Sequence, residues 1–205
     1  MNILESIRHE SVEIASEVVR YRRHLHANPE LSYQEHQTMA FVADLLKSFG
    51  IEPQTGIGGT GVVALIRGRQ GESNRVTALR ADMDALPIQE ASEVSYKSTM
   101  PGVMHACGHD VHTASLLGTA RILMQHVSGF SGTVKLLFQP GEEKNPGGAS
   151  YMIRDGALKN PSPTSIIGQH VMPLLPVGTI GFREGKYMAS SDEIYIRVIG
   201  KGGHA

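Results

Sequence analysis

Arg75-Val-Thr-Ala-Leu-Arg-Ala81, then DVHTASLLGTARILMQHV at 110–127, then Thr133-Val-Lys-Leu-Leu-Phe138 are the three stretches that decide the fold. The first and third are short and apolar, with the branched residues that suit strands. The middle one is longer, and Val111, Ala114, Leu117, Ala120, Ile122 and Leu123 give it the broad apolar face of a helix. The same alternation continues outward. Gly61-Val-Val-Ala-Leu-Ile-Arg67 reads as a strand, with a Ser-Asn turn before Arg75. Ser165 to Val171 reads as another, and Ala149 to Arg154 as a short helix. Strands alternating with helices predict an α/β sandwich with a mostly parallel central sheet.

Two helices are predicted ahead of this unit. One runs from Ile3 to about His26, with Ile3, Ile7, Ile14, Val18 and Leu25 near one face, and ends at Asn28-Pro29. The other runs from Tyr33 to Phe49 and stops at Gly50. Residues 85–108 have little periodicity and read as a long ordered loop, of the kind that usually carries function. Asp192 to Ile199 alternates polar and apolar residues, as a half-exposed strand does. It is expected to open a second domain, so that 1–187 belongs to one domain and 188–205 to the next.

Composition narrows the function. Nineteen basic against 20 acidic residues leave a net charge of −1, with no footprint for nucleic acid or an anionic membrane. One cysteine excludes an internal disulfide. The N-terminal residues lack a signal-peptide core, and runs such as GVVALI are too short to cross a bilayer, so a cytoplasmic protein is expected. Ten histidines are more than packing needs, and they cluster.

Four clusters carry chemistry. In His105-Ala-Cys107-Gly-His109-Asp-Val-His112, thiolate and imidazole two residues apart suit zinc or another transition metal. The plain alternative is a His-rich surface loop capped by Asp110. Phe138-Gln-Pro-Gly-Glu142-Glu143 places two carboxylates just past a strand, where one can hold a metal and the other move a proton. A Glu-Glu pair alone is usually a solvated turn. Asp82 and Asp84 follow the 75–81 strand and can support metal-bound histidines from behind. His170 comes late in the Ser165 strand, where a lone histidine is more often packed than ligating. Taken together, four strand ends of one sheet converge on one site. Cys107, His109, Glu143 and His170 then supply four ligands and leave Glu142 as a base.

RRHLHANPELSYQEHQT, LRADMDALP, GVMHACGHDVHTA, FQPGEE, GGASYMI and GQHVMP, in this order, resemble the metallo-amidohydrolase branch of the aminoacylase and carboxypeptidase G superfamily. That branch includes hippurate hydrolases, indoleacetyl-amino-acid hydrolases and N-acetyldiaminopimelate deacetylases. The resemblance runs from about Tyr21 to Ala205. It implies a zinc-peptidase-like α/β domain with an inserted α+β lid that also dimerises. It implies two divalent metal ions (manganese, zinc, cobalt or nickel) on Cys107, His109, Glu143 and His170, with Glu142 as general acid/base. Asp84 matches an aspartate that supports ligand geometry, and Asp82 lies beside it. GKGGHA resembles the lid motif whose histidine, here His204, reaches substrate in the partner subunit of a homodimer. Family members continue beyond this point through the rest of the lid, one further metal-binding histidine and closing helices. The expectation is therefore an N-terminal portion that is inactive alone.

The implied activity is hydrolysis of the amide bond of small-molecule N-acyl amino acids, without a nucleic-acid or membrane partner. Three alternatives stand beside it. One is a dipeptidase or carboxypeptidase of the same superfamily. Another is a thiol hydrolase using Cys107 with His109 or His105. The third is an inactive metal-binding or dimerisation module.

Overall fold

A computed structural model describes residues 2–189, 192 and 194–204. They fall into two units divided between Val171 and Met172.

The first unit opens with α1 (Ile3–Glu13) and α2 (Ala15–Ala27). Asn2 and Glu5 cap α1 reciprocally: Asn2 Oδ1 accepts from the Leu4 N–H at 2.8 Å, and Glu5 accepts from the Asn2 N–H at 3.1 Å. The single helix expected from Ile3 to His26 is thus two, with a turn at Ile14. The apolar period runs through the break without marking it. Burial marks it instead: α1 buries no residue, whereas Ile14, Tyr21, Leu25 and His26 are buried.

The second helix, α3 (His36–Ser48), starts later than the expected Tyr33. Tyr33 has a left-handed φ of 66°, which no helix accepts. The first free amides of α3 are satisfied by Glu30, whose carboxylate accepts from Gln37 and Thr38 N–H at 3.1 and 2.8 Å.

Five strands form one sheet: β1 (Pro53–Ile57), β2 (Gly61–Arg67), β3 (Val76–Asp82), β4 (Thr133–Gln139) and β5 (Ser165–Gly168). Their order is β1-β2-β4-β3-β5. The β3–β4 and β3–β5 pairs are parallel, while β1–β2 and β2–β4 are antiparallel. The parallel half is the one crossed by α4 (His109–Gln125). β1 escapes the sequence reading because it begins at a proline, contains a glycine and lies at the sheet edge.

Both faces of the sheet are covered over its central strands β2, β3 and β4, while β5 is exposed. Val62, Ala64, Ile66, Ala81, Leu136 and Phe138 pack with Leu25, Val42, Leu46 and Leu117 of the helices. Val63, Ala78 and Leu137 on the other face meet Met152 of α5 (Gly148–Arg154) and Ala157. Lys135 is buried on that face too, and donates from Nζ to the Ala157 and Lys159 carbonyls at 2.9 and 2.8 Å.

Parallel pairing brings the carboxyl ends of three strands to one edge. Asp82 pairs with Gln139, and Arg80 with Gly168. The loops that leave β3, β4 and β5 therefore start side by side, where open α/β sheets place their ligands. β5 ends at Gly168, three residues short of the expected Val171.

The second unit, by itself, is exposed and irregular apart from turns among its described residues. No strand forms at 192 or 194–199, where one was expected, and Glu193 lies outside the described residues. An amphipathic strand needs a neighbour to pair its backbone and cover its apolar face, and no described strand pairs with this one. Among the described residues, no helix is long and apolar enough to cross a membrane.

Candidate metal centre

The site is built around His109, the first residue of α4, which is 0% exposed. Gly108 caps the helix with a φ of 87°, a conformation that glycine adopts without strain. A Cβ at Gly108 would also lie 2.3 Å from Val171 Cγ2, so the position needs glycine for space as well. This tight turn sets Cys107 and His109 near His170, whose ring centroid lies 6.2 Å from that of His109. Cys107 Sγ lies 3.4 Å from His170 Nε2.

Asp84 fixes the histidine from behind. His109 Nδ1 lies 2.9 Å from the Asp84 carbonyl and 3.2 Å from its Oδ1. A carbonyl can only accept, so Nδ1 carries the proton and Nε2 presents its other face to the loop after β4. There it meets Glu143 Oε1 at 3.7 Å and Glu142 Oε2 at 3.9 Å, and Asp82 Oδ2 at the end of β3 lies 3.6 Å away. Asp84 also anchors that loop: its Oδ2 accepts from the Glu143 N–H at 2.9 Å and the Ser32 hydroxyl at 2.6 Å.

His109 Nε2 and Glu143 Oε1 are both buried without a hydrogen-bond partner. Orphaned buried polar atoms are costly, and these two face each other across a gap too long for a hydrogen bond. A cation between them resolves both. The donor set fits a transition metal: Cys107, His109 and His170 converge with ligand atoms within 4.8 Å of one another, and so do His109, Glu142 and Glu143. Five of the sequence-predicted residues, Cys107, His109, Glu142, Glu143 and His170, are thus brought together, with Asp84 directly behind. His204 lies in the second unit and is exposed.

Electrostatics agree with a cation at this point. Burial lowers the pKa of His109, but Asp84, Asp82 and Glu143 more than compensate and raise it. Burial, and then Glu143, raise the pKa of Glu142. Burial and the surrounding carboxylates push the Cys107 thiol up to about 12. Without a cation this thiol stays protonated near neutrality, which disfavours a free thiolate nucleophile.

One residue of the His105–His112 cluster was given no role of its own in the sequence reading. His112 is buried three residues beyond His109, on the same side of α4. Its Nδ1 lies 2.6 Å from Asp82 Oδ1, and its Nε2 accepts the Val171 N–H at 2.9 Å. It thereby ties the end of β3 to the residue after His170. Asp82 is also paired with Arg80 at 2.7 Å. Burial raises the Asp82 pKa, but His112, Arg80 and His109 together lower it to about 2. The i, i+3 spacing from His109 was the available signal.

A family model described as Peptidase family M20/M25/M40 matches residues 78–198, the stretch that contains every one of these candidate ligands. The chain belongs to this family. It is 50% identical over 188 residues to a protein named putative amidohydrolase YhaA from Bacillus subtilis, covering 92% of this chain and 46% of that one. It is 48% identical over 192 residues to an N-acyl-L-amino acid amidohydrolase of Geobacillus stearothermophilus, covering 94% and 51%. The crystal structure of Bacillus subtilis YXEP, described as a dinuclear metal binding peptidase from the M20 family, superposes with a TM-score of 0.77 at 45% identity, covering 83% of this chain and 47% of that one. The chain therefore spans about half the length of these relatives.

Proposed function

We propose that the protein is a metal-dependent amidohydrolase that splits N-acyl amino acids into a carboxylate and a free amino acid. The observation that carries this is the facing pair of buried, partnerless atoms, His109 Nε2 and Glu143 Oε1. In support, a relative at 48% identity is named for this activity and a structural neighbour is described as dinuclear. Cys107, His109, Glu143 and His170 would hold two divalent ions, with manganese, zinc, cobalt and nickel all compatible with thiolate, imidazole and carboxylate donors. When bound, such ions lower the pKa of water and draw charge from a carbonyl oxygen.

The chain's own residues supply the rest. Glu142, half-exposed and with a raised pKa, takes a proton from the attacking water as its oxygen bonds to the carbonyl carbon. It delivers that proton to the nitrogen as the C–N bond breaks. Asp84 keeps the His109 ring and the Glu143 backbone in place throughout. Residues 1–187 would form the N-terminal part of the catalytic domain and 188–205 the start of a lid through which the protein dimerises. His204 would then contact substrate in the partner subunit's site.

The test is turnover of a panel of N-acyl amino acids and dipeptides by the full-length protein, before and after chelation. Loss on chelation and recovery with added Mn²⁺, Zn²⁺, Co²⁺ or Ni²⁺ is expected. Turnover that survives exhaustive chelation would overturn the proposal.

A further inference from the structure

The segment between α2 and α3 contributes no metal donor, yet three of its side chains grip the site. Glu35 is 0% exposed. Its Oε1 accepts the Gly141 N–H at 2.7 Å, and its Oε2 accepts the Thr60 hydroxyl. A carboxylate buried on neutral donors is an expensive way to stabilise a fold, which points to a positional role.

Tyr33 holds the other end of the same loop. Its hydroxyl donates to the Lys144 carbonyl at 2.9 Å. Its ring packs against Gly141, where an added Cβ would come within 2.3 Å of Tyr33 Cε1. Gly141 has a φ of 53° and Tyr33 one of 66°, so both partners occupy left-handed backbone. For a tyrosine this is an uncommon, strained conformation, of the kind that clusters at functional sites. Ser32 completes the set, donating to the same Asp84 oxygen that receives the Glu143 N–H. Gly141 and Lys144 bracket Glu142 and Glu143, so the loop is fastened on both sides of its two carboxylates.

We infer that Ser32, Tyr33 and Glu35 form a clamp that sets the position of Glu142, with Tyr33 and Glu35 as positioning residues. The clamp rests on the proposed proton-carrying role of Glu142. Its contacts begin at the Gly141 amide and end at the Lys144 carbonyl, so releasing either frees the Glu142 backbone. Small displacements of a proton-transfer group are costly to rate.

The experiment uses the full-length protein, with Tyr33→Phe, Glu35→Gln, Glu35→Leu and Glu142→Gln. The Tyr33 hydroxyl contact is solvent-exposed, so Tyr33→Phe leaves the fold intact. Hydrogen exchange over 139–148 reads the clamp directly, and kcat reads its consequence. Tyr33→Phe is expected to speed exchange in that peptide and to lower kcat about tenfold, with KM and metal content within about twofold. Glu35→Gln should stay close to wild type, because an amide still accepts from Gly141 and donates to Thr60. Glu35→Leu should behave like Tyr33→Phe. In a Glu142→Gln background, Tyr33→Phe should cost almost nothing further. Unchanged exchange in Tyr33→Phe overturns the clamp, as does a kcat loss that persists in full without the Glu142 carboxylate. Wild-type turnover by Glu142→Gln would remove the proton-carrier assignment alone, and the exchange data would still decide the clamp.

Discussion

Asp84 holds His109 by Nδ1, through its carbonyl at 2.9 Å and its carboxylate at 3.2 Å, and so turns Nε2 toward Glu143 Oε1, 3.7 Å away. The two residues are 25 positions apart and meet because α4 starts beside the end of β3. Asp84→Ala would free the ring and release the Glu143 amide together. Losing such a supporting partner typically weakens metal affinity by about 10–100-fold. Titration of apo protein with Zn²⁺ or Co²⁺ checks this, and unchanged affinity would place the orientation of His109 elsewhere.

The two adjacent glutamates should separate cleanly. Glu142→Gln is expected to keep its metal and lose roughly 10²–10⁴-fold in kcat, the usual contribution of a positioned acid/base. Glu143→Gln should instead lower metal content. Metal analysis and kinetics on the same preparations make the comparison, and a reversed pattern would exchange the two assignments.

Gly108→Ala tests the turn between two of the proposed ligands. The substitution meets both a φ of 87° and a contact of 2.3 Å with Val171 Cγ2. Left-handed backbone alone costs a non-glycine residue about 1–3 kcal/mol. The melting temperature should fall, and Co²⁺ affinity should fall with it as Cys107 and His170 move apart. A variant with wild-type affinity would show that the turn does not set the ligand spacing.

Stability at low pH should depend on Glu90, which fastens the long loop of 85–108. Its carboxylate accepts from Ser92, from the Ser98 N–H at 2.6 Å, and faces His26 Nε2 at 3.1 Å. Burial raises the Glu90 pKa, but these partners lower it overall from 4.5 to about 2. A depressed carboxylate contributes stability above its unfolded pKa and loses it as pH falls through the folded one. The loss therefore lies between about pH 4.5 and pH 2. His26 acts with the opposite sign. Its bond to Asp110 is the largest influence, outweighs burial and raises its pKa, so its contribution is full below pH 6.5 and fades as pH rises through the raised value. Glu90→Gln should flatten the acid limb of a denaturation-versus-pH curve, and an unaltered limb would contradict the role.

Much of the candidate site was legible because its polar side chains sit in short motifs next to strand ends. Glu142 and Glu143 follow β4, and Asp84 follows β3, so recognising the strands located the loops. The contributions of Tyr33 and Glu35 were not legible. Glu35 meets Gly141 across 106 positions, and Tyr33 meets Lys144 across 111, so no local pattern records either contact. The turn at Ile14 escaped because the apolar repeat continues through it, and β1 because a proline and a glycine obscure a five-residue edge strand. The strand expected at Asp192 to Ile199 shows the reverse limit: alternation describes a face without supplying the neighbour that the face requires.

The central claim is that His109 and Glu143 face each other across a metal, with Cys107 as a further ligand. X-ray absorption at the zinc edge of the zinc-loaded full-length protein tests this directly. The account expects nitrogen and oxygen scatterers near 2.0–2.2 Å and a sulfur at about 2.3 Å that disappears in Cys107→Ser. Tightly held zinc with no sulfur in its shell, or a chain that retains no metal after dialysis, would contradict it.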